Sequence, residues 1–465
     1  MTHRIRHQIL ELELPREAGA AALQQRAARV FQEQVLPRLE DAFDRIAPAD
    51  RVWRIEQLDL DLGDISEANW ERDFVEKCVA EISRQVAETV FELRPGDSAE
   101  TLSAAENAVQ RVLFFLENGY LPWQAQGLEL QTLAADLLQH TAQFDGVFGR
   151  EIRRVLREKS GATERLFRQF SVEFSEKLLA GALQITPEQM AKGMKKLQEY
   201  RFQTSSAAQR ILLVRYLLEL DAVAVKALFF EKDGLSMART ILNDLKQQKT
   251  NFFKPLETAL EAAISAKKQE EKEEIPIAKD LKREIDAKKT AKPRTTQTVL
   301  PREGIPVEMA GLVLLGPYLP VFFNKLGLQL TAPEQQERAM HLLHYLATGR
   351  EEAEEPLLVL PKILAGMPLE SSVEQSANLN EEEKQEAERL LEAVIRNWPV
   401  LKNTRPDGLR EVFLKRNGWF NQEEDSHAWL LQVERKGQDL LLEKISWSYS
   451  VIKLPWMERM LRVEW

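Results

Sequence analysis

At 465 residues, 44% hydrophobic and 29% charged, the chain has the composition of a soluble globular protein with room for about three separate cores. A formal net charge of −10 argues against an electrostatic nucleic-acid binder, which needs a basic stripe or an alkaline domain. The longest apolar run, residues 310–323, is broken by Gly316-Pro317 and falls short of the roughly 20 residues that cross a bilayer, and residues 1–14 lack the apolar core of a signal peptide. The expected location is therefore cytoplasmic, or within a larger assembled particle.

Residues 1–95 predict an α+β unit ordered strand, helix, strand, helix. Residues 9–14 place Leu10, Leu12 and Leu14 on one face and Glu11 and Glu13 on the other, the period of a strand. Residues 17–46 carry Leu23, Ala27, Val30, Phe31, Leu39, Phe43 and Ile46 at helical spacing, with Pro37 placed to kink the helix and Pro48 to close it. Residues 52–62 alternate again, Leu58, Leu60 and Leu62 against Asp59 and Asp61, before a turn at Gly63. A second helix to about Leu93 carries Phe74, Cys78, Ile82, Val86 and Val90 four residues apart, which makes the only cysteine a core residue and excludes an intramolecular disulfide. Pro95-Gly96 marks a boundary.

Residues 96–265 read as a helical domain with stops at Gly119, Pro122, Gly149, Gly161, Pro187 and Gly234. Residues 266–305 read as a charged flexible linker, since interleaved Lys and Glu leave too little apolar surface to offset ordering entropy. A basic arm at Lys288–Arg294 is the weaker reading there. Residues 306–400 return to helix. One internal echo stands out: Arg111-Val-Leu-Phe-Phe-Leu-Glu-Asn-Gly119 aligns with His341-Leu-Leu-His-Tyr-Leu-Ala-Thr-Gly349, each a helix that ends on a glycine cap. Residues 401–465 form a β-containing unit of short antiparallel strands, with runs at 428–435, at Ile445, Trp447, Tyr449 and Val451, and at Leu461, Val463 and Trp465. The fold class is mainly α with α+β ends.

Catalytic patterns are missing. No phosphate-binding glycine loop, dinucleotide fingerprint or nucleophile elbow occurs. His3 and His7 lie in an extended segment, where that spacing separates them by about 13 Å. His341 and His344 share a helix face but have no third ligand nearby. Asp59-Leu-Asp-Leu-Gly-Asp64 opens like a calcium loop and then fails, because Asp64 stands where the loop needs glycine and Trp70 where it needs a bidentate Glu. No catalytic, cofactor-binding or metal residue is assigned, and the chain reads as a non-enzyme without cofactors. Trp419, Trp429, Trp447, Trp456 and Trp465 are candidates for partner contact, with core packing the simpler reading.

Several blocks carry a family resemblance. At the start they are His3-Arg-Ile-Arg-His-Gln8, Leu36-Pro37 and Arg54-Ile-Glu-Gln-Leu-Asp-Leu-Asp-Leu-Gly63. In the middle they are Phe114-Phe-Leu-Glu-Asn-Gly-Tyr-Leu-Pro-Trp123, Ala310-Gly-Leu-Val-Leu-Leu-Gly-Pro-Tyr-Leu-Pro320 and Ala339-Met-His-Leu-Leu-His-Tyr-Leu-Ala-Thr-Gly349. At the end they are Asn397-Trp-Pro-Val-Leu-Lys-Asn-Thr404, Gly408-Leu-Arg-Glu-Val-Phe-Leu-Lys-Arg-Asn-Gly418, Lys453-Leu-Pro-Trp-Met457 and Val463-Glu-Trp465. In these blocks the chain resembles the contractile injection system tape measure family found with phage-tail-like particles. Gly316-Pro317 departs from the bulkier residue expected before the proline. The resemblance implies a structural or assembly component that sets inner-tube and sheath length, with inner-tube, baseplate and sheath-associated proteins as partners. The charge and the short apolar runs give the further expectation of no nucleic acid and no membrane insertion, with self-association as an option. A cytoplasmic assembly chaperone or tube-end adaptor of the same particle is the alternative.

Overall fold

The computed structural model describes residues 3–5, 8–13, 20–46, 51–55, 57–65, 69–92, 99–140, 146–159, 161–199, 207–248, 251–270, 304–401, 403–422 and 428–465. It divides into two compact units, Met1–Gln110 and Arg111–Trp465.

In the first unit α1 (Ala20–Val30) runs through a π-turn (Phe31–Val35) into α2 (Leu36–Ile46). Pro37 cannot donate to the helix ladder and its ring crowds the carbonyl four residues back. The π-turn absorbs that conflict one turn earlier, with Leu36 N–H bonded to Phe31 O. Val30, Phe31, Val35 and Leu39 then meet α3 (Trp70–Glu92) along Phe74, Cys78, Ile82, Val86 and Val90. Cys78 is 3% exposed, and burial pushes its thiol up to about 11, so it stays protonated at neutral pH.

The strands of this unit differ in extent from those expected. β1 covers only Arg51–Ile55 and pairs antiparallel with β2 (Ala99–Ser103), from Arg51↔Ser103 to Ile55↔Ala99. β2 lies inside the stretch 96–265 read as a helical domain. It ends on Ser103, whose hydroxyl caps α4 (Ala104–Asn118) while Glu106 returns a bond to the Ser103 amide. Residues 9–13 and 57–62 keep the expected alternation, leucines half-buried and acids exposed, yet neither has a ladder partner among the described residues. Leu14 and His7 lie outside the described residues; His3 bonds Asp44 at 2.9 Å.

The second unit begins with a helical array: α5 (Leu130–Gln139), α6 (Gly146–Glu158), α7 (Ala162–Gln169), α8 (Val172–Leu183), α9 (Pro187–Glu199), α10 (Ala207–Glu219), α11 (Ala222–Glu231), α12 (Gly234–Gln248) and α13 (Lys254–Glu270). Gly149 lets α6 and α8 cross closely, because a Cβ there would lie 2.5 Å from Gly181 O. α13 carries helix to Glu270, past the expected start of the linker. The rest of that expected linker, residues 271–303 with its Lys288–Arg294 arm, lies outside the described residues.

Beyond it come β3 (Ile305–Val307), a buried 3-10 segment (Ala310–Tyr318), α14 (Leu319–Lys325), α15 (Pro333–Thr348), α16 (Val359–Leu364), α17 (Glu381–Asn397) and α18 (Pro406–Leu409). β4 (Gly418–Gln422), β5 (Trp429–Val433), β6 (Val451–Ile452) and β7 (Leu461–Glu464) complete a five-stranded sheet ordered β3-β4-β5-β7-β6. All its pairs are antiparallel except β5 with β7. The alternation at 445–451 reports burial correctly as far as Tyr449, but only Val451–Ile452 joins the ladder, and there Val451 is exposed. The sheet built from β1 and β2 is separate from this one.

The 3-10 segment passes so close to the turn at Arg410–Leu414 that a Cβ on Gly311 would sit 1.7 Å from Phe413 O. Backbone cannot yield as a side chain can. Gly311→Ala is therefore expected to destabilise the unit by about 3 kcal/mol, read as a lowered urea midpoint. A midpoint equal to wild type would mean the two segments part easily. Gly316, the departure noted in the sequence, faces Ile452 of β6, whose Cδ1 would lie 2.7 Å from an added Cβ. A bulkier residue has no room there.

Candidate functional site: arginine-capped helix ends and the tryptophan sheet

The internal echo is a shared piece of chemistry. α4 ends at Gly119 (φ +80°) and α15 at Gly349 (φ +70°), each in the left-handed region that glycine enters without strain. At the first end Arg165 donates from Nη1 to Leu116 O, with its guanidinium 5.9 Å from the Phe115 ring. At the second, Arg410 donates from Nε to Leu346 O at 3.2 Å, with its guanidinium 5.8 Å from the Tyr345 ring. Leu116 matches Leu346 in the aligned strings, and Phe115 matches Tyr345. A cation at the C-terminal end of a helix is favoured by the unsatisfied carbonyls and the dipole. Each arginine also meets an acid: Glu355 for Arg165, and Glu388 with Asp407 for Arg410.

The first of these ends is sealed from water. Arg165 and Glu355 are fully buried and Lys362 is 1% exposed. Arg165 Nε donates to Glu355 Oε2 at 3.0 Å, and Lys362 Nζ to Glu355 Oε1 at 2.6 Å. Arg165 Nη2 reaches Glu370 O at 2.9 Å; Lys362 Nζ also donates to Leu369 O and Ser371 O at 3.1 and 2.7 Å. Burial pulls the Lys362 ammonium below the usual lysine range, against the attraction of Glu355. Three acceptors around Nζ match the three N–H bonds of the charged form, whereas a neutral amine has only two. Gln169 extends the network, accepting from Glu355 N at 3.0 Å and donating to Val373 O at 2.8 Å. α7 is thereby stitched to residues 355–373, on the far side of residues 271–303. Sequence reading passed over this cluster, though one signal was available: Lys362 is a lone cation in the apolar run 356–367.

His341 and His344, the pair on one face of α15, are both buried. Burial pushes each down to about 4, so both are neutral at pH 7. His344 Nδ1 lies 3.1 Å from Arg350 O. Among the described residues no group of three or more His, Cys, Asp or Glu is placed to hold a metal ion. In the run 59–64, Asp59 accepts from Gln57 at 2.9 Å and Asp61 from the Gly63 amide at 2.8 Å, which makes a turn of that loop.

The five candidate tryptophans are half-buried in the C-terminal sheet region. Trp447 Nε1 donates to Leu314 O at 3.0 Å, Trp456 Nε1 to Leu364 O at 2.8 Å, and Trp465 Nε1 to Asp439 Oδ2 at 3.0 Å. Trp429 packs on Phe420 and takes Arg459 over its ring at 4.6 Å. Trp398, fully buried, completes the group with a bond to Leu441 O at 3.1 Å. Indole N–H groups spent on internal carbonyls and a carboxylate belong to packing.

The whole arrangement is built of buried caps and packed aromatics, spread along the chain from residue 111 to 465. A family model described as contractile injection system tape measure protein matches residues 2–465, nearly every residue of the chain. The chain belongs to that family. Its role is accordingly that of a structural or assembly component of a contractile injection particle, in association with other particle proteins. No curated protein and no solved structure matches it. No helix among the described residues is long and apolar enough to cross a membrane.

Proposed function

We propose that this tape measure family member contributes to tube and sheath length as a folded body, and not as a strand drawn out along the tube. The observation that carries this is the Arg165–Glu355–Lys362 cluster, which locks α7 to residues beyond 271–303 inside one compact unit. Drawn out as one helix the chain would measure about 700 Å. A compact unit the size of residues 111–465 has a radius of gyration of only about 20 Å. Reaching the long form would expose two buried cations, a buried carboxylate and the Trp398 core.

On this reading the described residues of 111–270 and 304–465 work as one body. Partners are engaged through exposed surfaces, with inner-tube, baseplate and sheath-associated proteins as the candidates, and no reaction is catalysed. Length then depends on how folded copies are placed in the particle.

Insertions of roughly 20 to 60 residues within 271–303 test it, since loops of that size close at small extra cost. Particle length by electron microscopy is expected to stay at the wild-type value. Lengthening in proportion to the insert would show that the chain is paid out, and would sink the proposal.

A further inference from the structure

Residues 57–62 of the first unit alternate half-buried leucines with exposed polar residues, as a strand does, and no strand among the described residues pairs with them. Gln57 donates to Asp59 at 2.9 Å, a contact that side chains two apart make on one face of an extended backbone. Leu58, Leu60 and Leu62 are half-buried against the unit's core, and Gln57, Asp59 and Asp61 are exposed. α3 holds the segment from beneath: Gln85 Nε2 donates to Asp59 O at 2.8 Å, and Lys77 Nζ to Leu62 O at 2.8 Å and Asp64 O at 2.7 Å. No backbone N–H from 57 to 62 has a partner among the described residues. The result is a strand-like edge whose amides are unbonded among the described residues. An incoming strand would meet little ordering cost on this side.

Charge decides which strand could come. Asp59, Asp61 and Asp64 form no ion pair among the described residues. The unit around them is acidic: residues 1–110 hold 13 Lys and Arg against 22 Asp and Glu, a net −9 of the chain's −10. A second copy of this edge would set Asp against Asp. The similar segment 9–13 would set Glu11 and Glu13 against them. Like charges directly opposite destabilise a strand pair, so neither is a suitable occupant.

We propose that residues 57–62 are a docking edge for an extended segment of another particle protein, one in which Lys or Arg alternates with apolar residues. Main-chain bonds to the open amides hold it, its basic side chains face Asp59 and Asp61, and its apolar side chains cover the exposed parts of the leucines.

The test uses the full-length protein and a fluorescein-labelled synthetic peptide of Lys-Val repeats, followed by fluorescence anisotropy. Saturable binding is expected. The same peptide with alternate backbone amides N-methylated should bind at least about tenfold more weakly, since it cannot complete the ladder. Asp59→Lys with Asp61→Asn, which keeps the acceptor for the Gly63 turn, should weaken the unmodified peptide by a similar factor. Glu40→Lys with Asp41→Asn changes net charge equally on the exposed face of α2 and should leave binding unchanged. No saturable binding would mean the acids serve only to keep the edge unpaired. Equal binding of the N-methylated peptide, or equal weakening by both variants, would reduce the effect to general charge attraction. Either result overturns the docking edge, and neither bears on the length experiment, which probes the other unit.

Discussion

Glu355→Gln is expected to destabilise the unit spanning residues 111–465 by about 3–5 kcal/mol, the cost of stranding buried charge. The carboxylate is the one anion bonded to both Arg165 and Lys362, and all three side chains are at most 2% exposed. A glutamine keeps the shape but removes the charge, leaving two cations facing each other in a dry site. Their remaining acceptors, the carbonyls of Leu116, Leu369, Glu370 and Ser371, carry only partial charge. Lys362→Met should cost less, because Glu355 keeps Arg165 and the surplus positive charge disappears. Combining the two should recover part of the loss, with a coupling above about 1 kcal/mol, since the residues share one network. Urea titration of the three variants decides it. A loss below about 1 kcal/mol for Glu355→Gln would mean that water reaches the cluster and screens it.

Acid is expected to loosen the same unit through its two buried histidines. His341 and His344 resist protonation in the folded chain until about pH 4, while in the unfolded chain they take protons near 6.5. Between those values the unfolded state holds more protons, so stability rises with pH and is lost as pH falls from 6.5 towards 4. Above 6.5 both states are neutral and the histidines contribute no pH dependence. By pH 5 the loss should reach about 2 kcal/mol per histidine. Neighbouring cations oppose protonation further, Arg338 for His341, and Arg350 and Lys415 for His344. Urea midpoints at pH 7.5, 6 and 5 would show the slope, and His341→Leu should flatten it. A flat profile in wild type would show that the rings already take protons in the fold.

Legibility differed by the range of the interaction. The α3 face through Phe74, Cys78, Ile82, Val86 and Val90 was readable because helical spacing alone aligns those side chains. So were the glycine caps at 119 and 349, since a left-handed residue ending a helix selects glycine locally. The alternation at 9–13, 57–62 and 445–449 foretold burial but not ladders. Period two says which side chains turn inward. It is silent on which backbone, if any, lies alongside. β2 stayed hidden for the same reason: its residues, Ala99–Ser103, acquire strand geometry from pairing with β1.

The triad lay beyond any local rule. Arg165 and Glu355 are 190 residues apart, and nothing near either names the other. The partnership of Arg165 with α4 and of Arg410 with α15 became visible only once both chains of contacts were in place, although the helix ends themselves were aligned from the string.

What the order of residues determined unaided is the helical character, the faces that are buried, the capped ends and the membership of a contractile-particle family, because spacing and composition act within a few residues or along the whole chain. What tertiary structure alone decided is which segments pair and which charges are sealed together. Those depend on groups brought together from distant positions, where the free energy of a contact is set by the water it excludes and the partners it finds.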